Sequence, residues 1–321
     1  MKVAVIGVGV IGNVHLGILL DTGITPVAIC DVDESKTAKF PAIKAYTDYK
    51  EMLDTEKPDV VHICTPHYLH AEMAIYALER NINVLCEKPL CMNREEIEKV
   101  LAAEEKSSAQ MAVCFQNRYT PRNRFVAEYL KDKKVVRANG SLFWERGEDY
   151  YNSAEWRGTK KYEGGGVLIN QAIHTVDLLN EFCGGFTELT ASCSNLSLQG
   201  VIEVEDTAAI RLYGEDVTCT FFATNASKIN KPIEMTLVTE DGEVLELVGE
   251  DLIIDGEKKE FKTNAYYGKA CYGMGHAPLI ADFYDCVKTG RKFPIPAKEG
   301  AKALRVVLTA YDSNEQRIKI H

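Results

Sequence analysis

Short, continuous apolar runs alternate with longer segments of helical periodicity over the first third of the chain. The apolar runs lie at residues 2–6, 26–30, 59–64, 82–86 and 111–115, and their lack of alternation predicts strands buried on both faces. Helical periodicity covers 11–20 and 69–78 and resumes after Asn93, which forms an N-cap pair with Glu96. This alternation is typical of βαβ units. We therefore predict a doubly wound α/β domain with a parallel sheet over residues 1–118.

The remaining residues, 119–321, follow a different pattern. Several strand-like runs are separated by hairpin-type turns such as Gly214-Glu215-Asp216 and Asp241-Gly242. These runs lie at 135–144, 189–198, 206–213, 217–224, 233–239, 244–248 and 252–254. One helix at about 167–182 and two more at about 278–289 and 299–316 complete the prediction. This grouping predicts an α+β domain with a largely antiparallel, open-faced sheet.

Composition excludes several classes of protein. The length of 321 residues exceeds the roughly 250–300 at which single cores stop growing, which supports two domains. A hydrophobic content of 46% and a charged content of 26% are ordinary for a globular protein. The 37 Lys and Arg against 47 Asp and Glu give a net charge of −10, which argues against nucleic-acid and anionic-membrane partners. No apolar run approaches the ~20 residues of a transmembrane helix, and glycines interrupt the apolar start, so no signal peptide is predicted.

Ten cysteines are present without any C-x-x-C pair or paired spacing, so neither a disulfide framework nor a zinc site is indicated. Cys30, Cys64, Cys86 and Cys114 fall at predicted strand ends, where a free thiol packs as a small hydrophobe. No other cluster has convincing metal-ligand spacing. We predict a reduced, cytoplasmic protein without a bound metal.

A glycine motif follows the first predicted strand and opens the first predicted helix. In the segment Gly7-Val8-Gly9-Val10-Ile11-Gly12, Gly7 would permit a tight turn, Gly9 would let the backbone approach a pyrophosphate, and Gly12 would allow close helix packing. Asp31 lies 19 residues beyond Gly12, near the position of a carboxylate that binds the ribose 2′-hydroxyl. The motif therefore predicts NAD as cofactor. Asp33 and Lys36 lie nearby, so NADP is not excluded.

Further motifs occur in one order along nearly the whole chain. They are Cys64-Thr65-Pro66-His67-Tyr68-Leu69-His70, Cys86-Glu87-Lys88-Pro89-Leu90, Phe115-Gln116-Asn117-Arg118-Tyr119, Trp156-Arg157-Gly158-Thr159, Gly164-Gly165-Gly166 followed by His174-Thr175-Val176-Asp177, and Tyr272-Gly273-Met274-Gly275-His276. This combination resembles the Gfo/Idh/MocA oxidoreductases, the family of glucose-fructose oxidoreductase and inositol dehydrogenase. The resemblance implies an NAD(P)-dependent enzyme that moves a hydride between nicotinamide and a secondary alcohol or ketone of a sugar, cyclitol or nucleotide sugar.

The resemblance also implies roles for individual residues. Lys88 corresponds to a catalytic lysine, followed by a proline that is often cis, and its ammonium can donate to the substrate oxygen. His174 can accept or return the hydroxyl proton, and Asn170, four residues earlier on the same helix face, can orient it. Many relatives carry Asp where this chain has Asn170, and an amide cannot take the histidine's proton. More of the catalytic role is therefore expected of Lys88.

The other implied contacts form two sets. Cofactor contacts beyond the glycines, Asp31 and Lys88 are expected from Val10, Ile11, Thr65, Pro66, His70, Glu87, Gln116, Asn117, Trp156, Arg157 and Tyr272. Substrate contacts beyond Lys88, Asn170 and His174 are expected from Arg118, Arg157, Asp177 and His276, with Gly273 to Gly275 as a flexible pocket rim. Three alternatives remain open: a pocket-rim or a supporting role for Asp177, a stacked surface hairpin for Trp156 and Arg157, and a structural role for His70.

Two other functions and an assembly are consistent with the same residues. Some members of the family use transient oxidation by bound NAD to cleave glycosidic bonds, and one is a corepressor that binds dinucleotide as a signal. Family members also associate through the second-domain sheet, and an uncovered sheet face that exposes an apolar patch favours symmetric pairing. A homodimer or homotetramer is expected.

Overall fold

The chain divides into two compact units in the computed structural model, which describes residues 1–262, 267 and 274–321. The first unit comprises Met1–Tyr119 and Asn264–Ala301, and the second comprises Thr120–Thr263 and Lys302–His321. The sequence pattern placed residues 264–301 in the second domain. The described residues of this segment contact the first unit, partly through two hydrogen bonds: Val113 N–H donates to the Ile295 carbonyl at 3.0 Å, and Phe293 N–H donates to Gln110 Oε1 at 2.9 Å.

A six-stranded, fully parallel sheet forms the core of the first unit, in the order β3-β2-β1-β4-β5-β6. Its strands are β1 Val3–Ile6, β2 Ala28–Cys30, β3 Lys44–Tyr46, β4 Val60–Ile63, β5 Asn83–Glu87 and β6 Met111–Cys114. Its helices are α1 Val10–Asp21, α2 Glu34–Thr37, α3 Tyr49–Glu56, α4 His70–Leu78, α5 Arg94–Lys106 and, from the C-terminal segment, α9 His276–Thr289. The predicted N-cap of α5 is confirmed, since the Asn93 side chain accepts from Glu96 N–H at 2.9 Å.

The strand β3 and the helices α2 and α3 lie outside the sequence prediction. The strand β3 is at the sheet edge, where its Lys44 and Ala45 are exposed, so it has no apolar run to mark it. The helix α3 carries a recognisable cap, because Asp48 accepts from the N–H groups of Lys50 and Glu51.

The second unit is built on a nine-stranded sheet in the order β14-β13-β12-β11-β7-β10-β9-β8-β15, antiparallel except for the β7–β10 pair. Its strands are β7 Val135–Phe143, β8 Glu188–Ser194, β9 Thr207–Tyr213, β10 Thr218–Thr224, β11 Glu234–Thr239, β12 Val244–Val248, β13 Asp251–Ile254, β14 Glu257–Lys259 and β15 Ile318–Lys319. The helices are α6 Pro121–Tyr129, α7 Glu148–Tyr151, α8 Ile173–Phe182 and the latter part of α10 Ala297–Ser313. The predicted α+β class is confirmed.

Two elements in this unit differ from their predicted bounds, one at its end and one at its start. The strand predicted at 189–198 stops at Ser194, because the buried Asp206 carboxylate accepts from the N–H groups of Leu196, Ser197 and Leu198 and turns the chain out of the sheet. The helix predicted at 167–182 begins with a π-helical turn, Leu168–Ala172, before α8. Such turns are rare and are frequent at functional sites.

Candidate functional site

The three glycines after β1 meet three different physical demands. Gly7 has φ +87, and a Cβ there would lie 2.6 Å from the Cys64 carbonyl oxygen. A Cβ on Gly12 would lie 1.9 Å from the Gly7 carbonyl oxygen, so α1 packs directly on the turn. Among residues 1–262, 267 and 274–321, nothing lies within 4 Å of a Cβ on Gly9, which leaves open space at the N-terminus of α1. The loop therefore fits a pyrophosphate, whose charge the helix N-terminus favours. Val10 is exposed beside it and Ile11 is half-buried.

Asp31 closes the loop from the next strand. Its Oδ2 accepts from Val8 N–H at 2.8 Å, and its Oδ1 accepts from Asp33 N–H at 3.0 Å. Lys36 Nζ lies 3.3 Å from the same Oδ1. The carboxylate thus lies at the end of β2, where a ribose hydroxyl is expected, with a cation beside it that bears on the choice between NAD and NADP.

His70 joins two loops at the carboxyl edge of the sheet. Its Nδ1 lies 2.7 Å from the Pro89 carbonyl oxygen and its Nε2 lies 2.8 Å from the Thr65 carbonyl oxygen. Burial lowers its pKa, while the two carbonyl contacts, which only N–H groups can satisfy, oppose that shift. This geometry favours the structural alternative for His70, while the half-buried Thr65 and Pro66 lie in the loop that His70 fixes.

Lys88 follows β5 directly and is half-buried, and its peptide bond to Pro89 is cis. Glu87, at the end of the strand, is buried and accepts from Lys88 N–H at 3.3 Å and from His15 Nε2 at 3.0 Å. Burial by itself raises the pKa of Glu87, but the hydrogen bond from His15 and the His276 ring, whose Nε2 lies 3.5 Å from Oε1, outweigh it and hold the pKa well below its usual range. Glu87 is therefore an ionised anchor behind Lys88.

A chain of buried rings extends from Glu87 into the core. His15 Nδ1 lies 2.8 Å from His62 Nδ1, and His62 Nε2 lies 2.6 Å from the Tyr284 hydroxyl. Burial lowers the pKa of His62, which is therefore neutral. One assignment satisfies every contact: Tyr284 donates to His62, His62 to His15, and His15 to the Glu87 carboxylate. The chain is thus polarised towards the anion beside Lys88.

Four groups in this region could hold a metal ion. One ligand atom each from His15, Glu87, Cys114 and His276 lies within 4.8 Å of the others, a donor set that zinc accepts. Because these residues are far apart in the sequence, their spacing gave no signal. Glu87 is already bound by hydrogen bonds, including one from the Cys114 thiol, whose pKa burial raises well above its usual range. The cluster is accounted for as a buried carboxylate with its donors, and the absence of a metal stays a prediction.

The segment after β6 lies in the same unit. Gln116 is buried and Asn117 half-buried, while the Arg118 guanidinium lies 3.3 Å from Glu299 Oε1, so a carboxylate partly compensates its charge. A Cβ on Gly275 would lie 1.7 Å from the Gln116 carbonyl oxygen. Gly275 therefore meets a packing demand and not a need for flexibility, which corrects the expectation of a flexible rim at this residue. His276 is buried against Glu87, and Tyr272 lies outside the described residues.

In the second unit, the triple glycine is fixed by two side chains that the sequence did not reveal. Glu205 accepts from Gly166 N–H at 2.8 Å, from Leu168 N–H at 3.0 Å and from the Tyr311 hydroxyl at 3.0 Å. A Cβ on Gly165 would lie 2.1 Å from the Tyr311 hydroxyl oxygen, and one on Gly166 would lie 1.8 Å from the Glu205 carbonyl oxygen. These close contacts position the start of the π-helical turn.

Asn170 lies in that turn, and its amide nitrogen donates to Glu163 Oε1 and to the Tyr150 hydroxyl oxygen, the latter at 3.3 Å. Both amide hydrogens are therefore directed to these two residues. Burial raises the pKa of Glu163 to about 7. His174, four residues later in α8, is half-buried, and Asp177 is almost fully buried, which disfavours a pocket-rim role for Asp177.

Trp156 and Arg157 stack, as one alternative expected. The Arg157 guanidinium carbon lies 4.7 Å from the Trp156 ring centre and 4.3 Å from the Tyr150 ring centre, and Arg157 also donates to the Tyr150 hydroxyl oxygen. The segment is a series of turns after α7 and not a hairpin. Within the described part of the chain, the buried Arg157 Nε has no hydrogen-bond partner, so it could bind a further acceptor.

Nine cysteines among the described residues are free, and Cys30, Cys64, Cys86 and Cys114 are buried as predicted. Within the described part of the chain, none of the helices is both long enough and apolar enough to span a membrane.

Two family models match the sequence. The first is described as an oxidoreductase family with an NAD-binding Rossmann fold and matches residues 1–115. The second is described as a GFO/IDH/MocA C-terminal domain and matches residues 134–245. Together they cover most of the chain, in the order of the two sheets.

Similar proteins include two characterised dehydrogenases. Levoglucosan dehydrogenase of Pseudarthrobacter phenanthrenivorans is 30% identical over 159 residues, 49% of this chain and 41% of that protein. Inositol 2-dehydrogenase of Salmonella typhimurium is 28% identical over 191 residues, 56% of this chain and 54% of that protein. The match thus spans about half the length of these relatives. The WlbA dehydrogenase of Bordetella pertussis, solved with NADH and UDP-GlcNAcA, has a TM-score of 0.86 at 22% identity, covering 100% of this chain and 98% of that one. This likeness supports the fold.

Proposed function

Because this chain belongs to the Gfo/Idh/MocA oxidoreductase family, we propose that it is an NAD-dependent dehydrogenase or reductase acting on a secondary alcohol or ketone of a sugar, cyclitol or nucleotide sugar. One observation carries the proposal. The loop of Gly7 to Gly12 follows β1, the Thr65 loop follows β4, and Lys88 follows β5, and these three strands are neighbours in one parallel sheet. The carboxyl edge of such a sheet is where dinucleotides and their substrates bind.

Lys88 is proposed to bind the reacting oxygen of the substrate. When bound, NAD supplies the nicotinamide ring that exchanges a hydride with the substrate carbon. As that hydride leaves an alcohol, the oxygen must lose its proton, and the Lys88 ammonium can stabilise the charge that develops there. Glu87 and the His15–His62–Tyr284 chain fix the backbone that carries Lys88, which keeps its position constant.

His174 is proposed to exchange the hydroxyl proton, and Asn170 to contact the same hydroxyl. A histidine titrates near neutrality, so it can accept a proton in oxidation and return it in reduction. Asn170 Nδ2 donates to Tyr150 and Glu163, so Asn170 acts here as a hydrogen-bonding group and not as a proton acceptor. Arg157 and Trp156 are proposed to contact cofactor or substrate through the guanidinium and the indole face.

The names of the relatives support the substrate class. They describe dehydrogenases of levoglucosan and inositol, and the WlbA structure contains a nucleotide sugar. Levoglucosan and inositol carry adjacent hydroxyl groups, and the ammonium, imidazole and amide groups to which roles are proposed can each hydrogen-bond a hydroxyl. The proposal is limited to this class of polyols.

Self-association through the second-unit sheet is also proposed. One face is covered by α8, since a Cβ on Gly140 would lie 3.1 Å from Leu179 Cδ1. The other face carries Arg211, Thr220, Ser192 and Phe222, a mixed surface and not the continuous apolar patch expected from the sequence. Light scattering should give a multiple of 35.8 kDa, and a single species of that mass would refute the assembly.

The test is a screen of polyols, sugars and nucleotide sugars with NAD and with NADP, monitored by absorbance of the reduced nicotinamide. Net reduction with one of these alcohols supports the proposal. Glycoside release without net reduced cofactor would instead indicate a glycosidase, and dinucleotide binding without any turnover would indicate a regulator. Lys88→Ala should lower turnover by orders of magnitude with nearly unchanged NAD binding, whereas Lys106→Ala, on the exposed end of α5, should change neither.

A further inference from the structure

A buried carboxylate lies directly behind Asn170. Glu163 is 1% exposed, its Oε2 accepts from Gly158 N–H, and its Oε1 accepts from the Asn170 amide nitrogen. The second amide hydrogen of Asn170 is directed to the Tyr150 hydroxyl oxygen at 3.3 Å. Asn170 itself is 9% exposed. The orientation of this amide is therefore set from inside the unit.

An asparagine side chain has a donor end and an acceptor end. A carboxylate can only accept, so an ionised Glu163 requires the Asn170 nitrogen to face it and leaves the amide oxygen on the opposite arm. A protonated Glu163 can donate, and a half turn of the amide would then bring its oxygen to Glu163 and turn its nitrogen outward. The charge on Glu163 thus decides which end of the amide is directed away from it.

We propose that Glu163 is a positioning residue that sets whether Asn170 offers a hydrogen-bond acceptor to a substrate hydroxyl or a donor to a substrate carbonyl. This inference rests on the proposed function, which places Asn170 at the substrate oxygen. The carboxylate form suits binding of the alcohol, whose hydroxyl needs an acceptor. The carboxyl form suits binding of the ketone, whose oxygen needs a donor.

The groups around Glu163 place its ionisation where both forms are populated. Burial raises its pKa to about 7, the Gly158 and Asn170 hydrogen bonds and the Arg157 guanidinium oppose the rise, and the Glu205 carboxylate adds to it. Tyr150 and Tyr151 face it from α7, and burial raises the pKa of both phenols above their ordinary value, so they stay neutral in this range. Burial also raises the pKa of Glu205.

The amide orientation can be measured without turnover. The backbone amide of Gly158 and the side-chain amide of Asn170 both donate to Glu163, so their nitrogen and proton chemical shifts report its charge directly. We expect both signals to titrate together with a midpoint near 7 in the wild-type protein between roughly pH 5 and 9. The titration should vanish in Glu163→Gln and persist in Glu203→Gln. Glu203 is the matched control because it is exposed and accepts from Lys160 N–H in the same segment.

The kinetic arm measures kcat and KM separately in both directions across the same pH range. For wild type and Glu203→Gln, the KM of the alcohol should fall and the KM of the ketone should rise through pH 7, and both changes should be smaller in Glu163→Gln. Unchanged pH profiles in Glu163→Gln, or wild-type Gly158 and Asn170 amides that do not titrate, would overturn the inference even if Glu163→Gln folds poorly. Absence of turnover with every alcohol and ketone, alongside titrating amides, would instead overturn the proposed function and the substrate role of Asn170 with it.

Discussion

The open space at Gly9 and the closed space at Gly12 make a paired test of the dinucleotide site. Gly9→Ala adds a methyl group with no atom of the described residues within 4 Å, at backbone angles, φ −77 and ψ −158, that alanine tolerates. Gly12→Ala adds a methyl group 1.9 Å from the Gly7 carbonyl oxygen. The first change therefore obstructs only a ligand, whereas the second displaces the loop itself.

The expected magnitudes differ accordingly. Gly9 is the N-cap of α1, so its replacement by alanine should lower the free energy of unfolding by about 1 kcal/mol at most. A methyl group between the pyrophosphate and the helix amides should remove one or two charge-assisted hydrogen bonds, which weakens NAD binding about 10- to 100-fold. Gly12→Ala should cost about 1–3 kcal/mol or more through overpacking and weaken binding as well.

NAD affinity by calorimetry and unfolding by denaturant separate these effects. Gly17→Ala is the matched control, since it lies within the same helix and its Cβ would make an ordinary 3.8 Å contact with Tyr267. It should leave NAD affinity unchanged and the fold equal or slightly more stable. A Gly9→Ala protein that is folded and binds NAD within about twofold of wild type would show that no pyrophosphate lies over Gly9.

Three further predictions concern single groups. Asp31→Asn keeps an oxygen for Val8 N–H but removes the charge, so the preference for NAD over NADP should fall at least about tenfold. The control is Asp33→Asn, because Asp33 is exposed. If both variants keep the wild-type ratio of the KM for NADP to the KM for NAD, the prediction is wrong. Chelation should leave turnover unchanged and elemental analysis should find no stoichiometric metal, whereas zinc that disappears in Cys114→Ser would contradict this expectation. The pKa of Glu163 is about 7 in the folded protein and about 4.5 in the unfolded chain. The free energy of unfolding should therefore fall by about 3 kcal/mol as the pH rises from about 4.5 to about 7. Denaturant unfolding across this pH range should show the fall in wild type and not in Glu163→Gln.

The sequence predicted correctly those features whose cause lies within one short segment. The strands β1 and β6 are wholly apolar and β4 and β5 are largely apolar, because helices cover both faces of a parallel sheet. The glycine motif is contiguous because one turn needs all three residues. The edge strand β3 has no such signal, because one side of it faces solvent. The end of β8 depends on Asp206, which directly precedes β9, and no pattern in the sequence near β8 indicates that contact.

The candidate site residues likewise fall into two groups, those within a recognisable motif and those outside any motif. Lys88 and His174 stand in motifs that can be recognised, and the resemblance to a family identified them. Glu163, which holds Asn170, stands one residue before the triple glycine and carries no motif signal beyond that proximity. Glu205 and Tyr311, which fix the glycines, are 106 residues apart. A run of three glycines implies that another part of the chain packs too closely for a side chain. This was the one indication in the sequence that partners such as Glu205 and Tyr311 exist, and it does not identify them.

The polar core behind Lys88 shows why such partners are needed at all. A carboxylate as buried as Glu87 would ordinarily be protonated, and a neutral Glu87 could not hold the His15 ring and the Lys88 backbone as an acceptor on both oxygens. The His15 and His276 rings keep it ionised, at the cost of placing imidazoles where apolar side chains would pack more simply. A chain of hydrogen bonds tolerates far less displacement than an apolar contact does, so this arrangement holds the start of the Lys88 loop in one position. We therefore propose that His15, His62 and His276 support the position of Lys88.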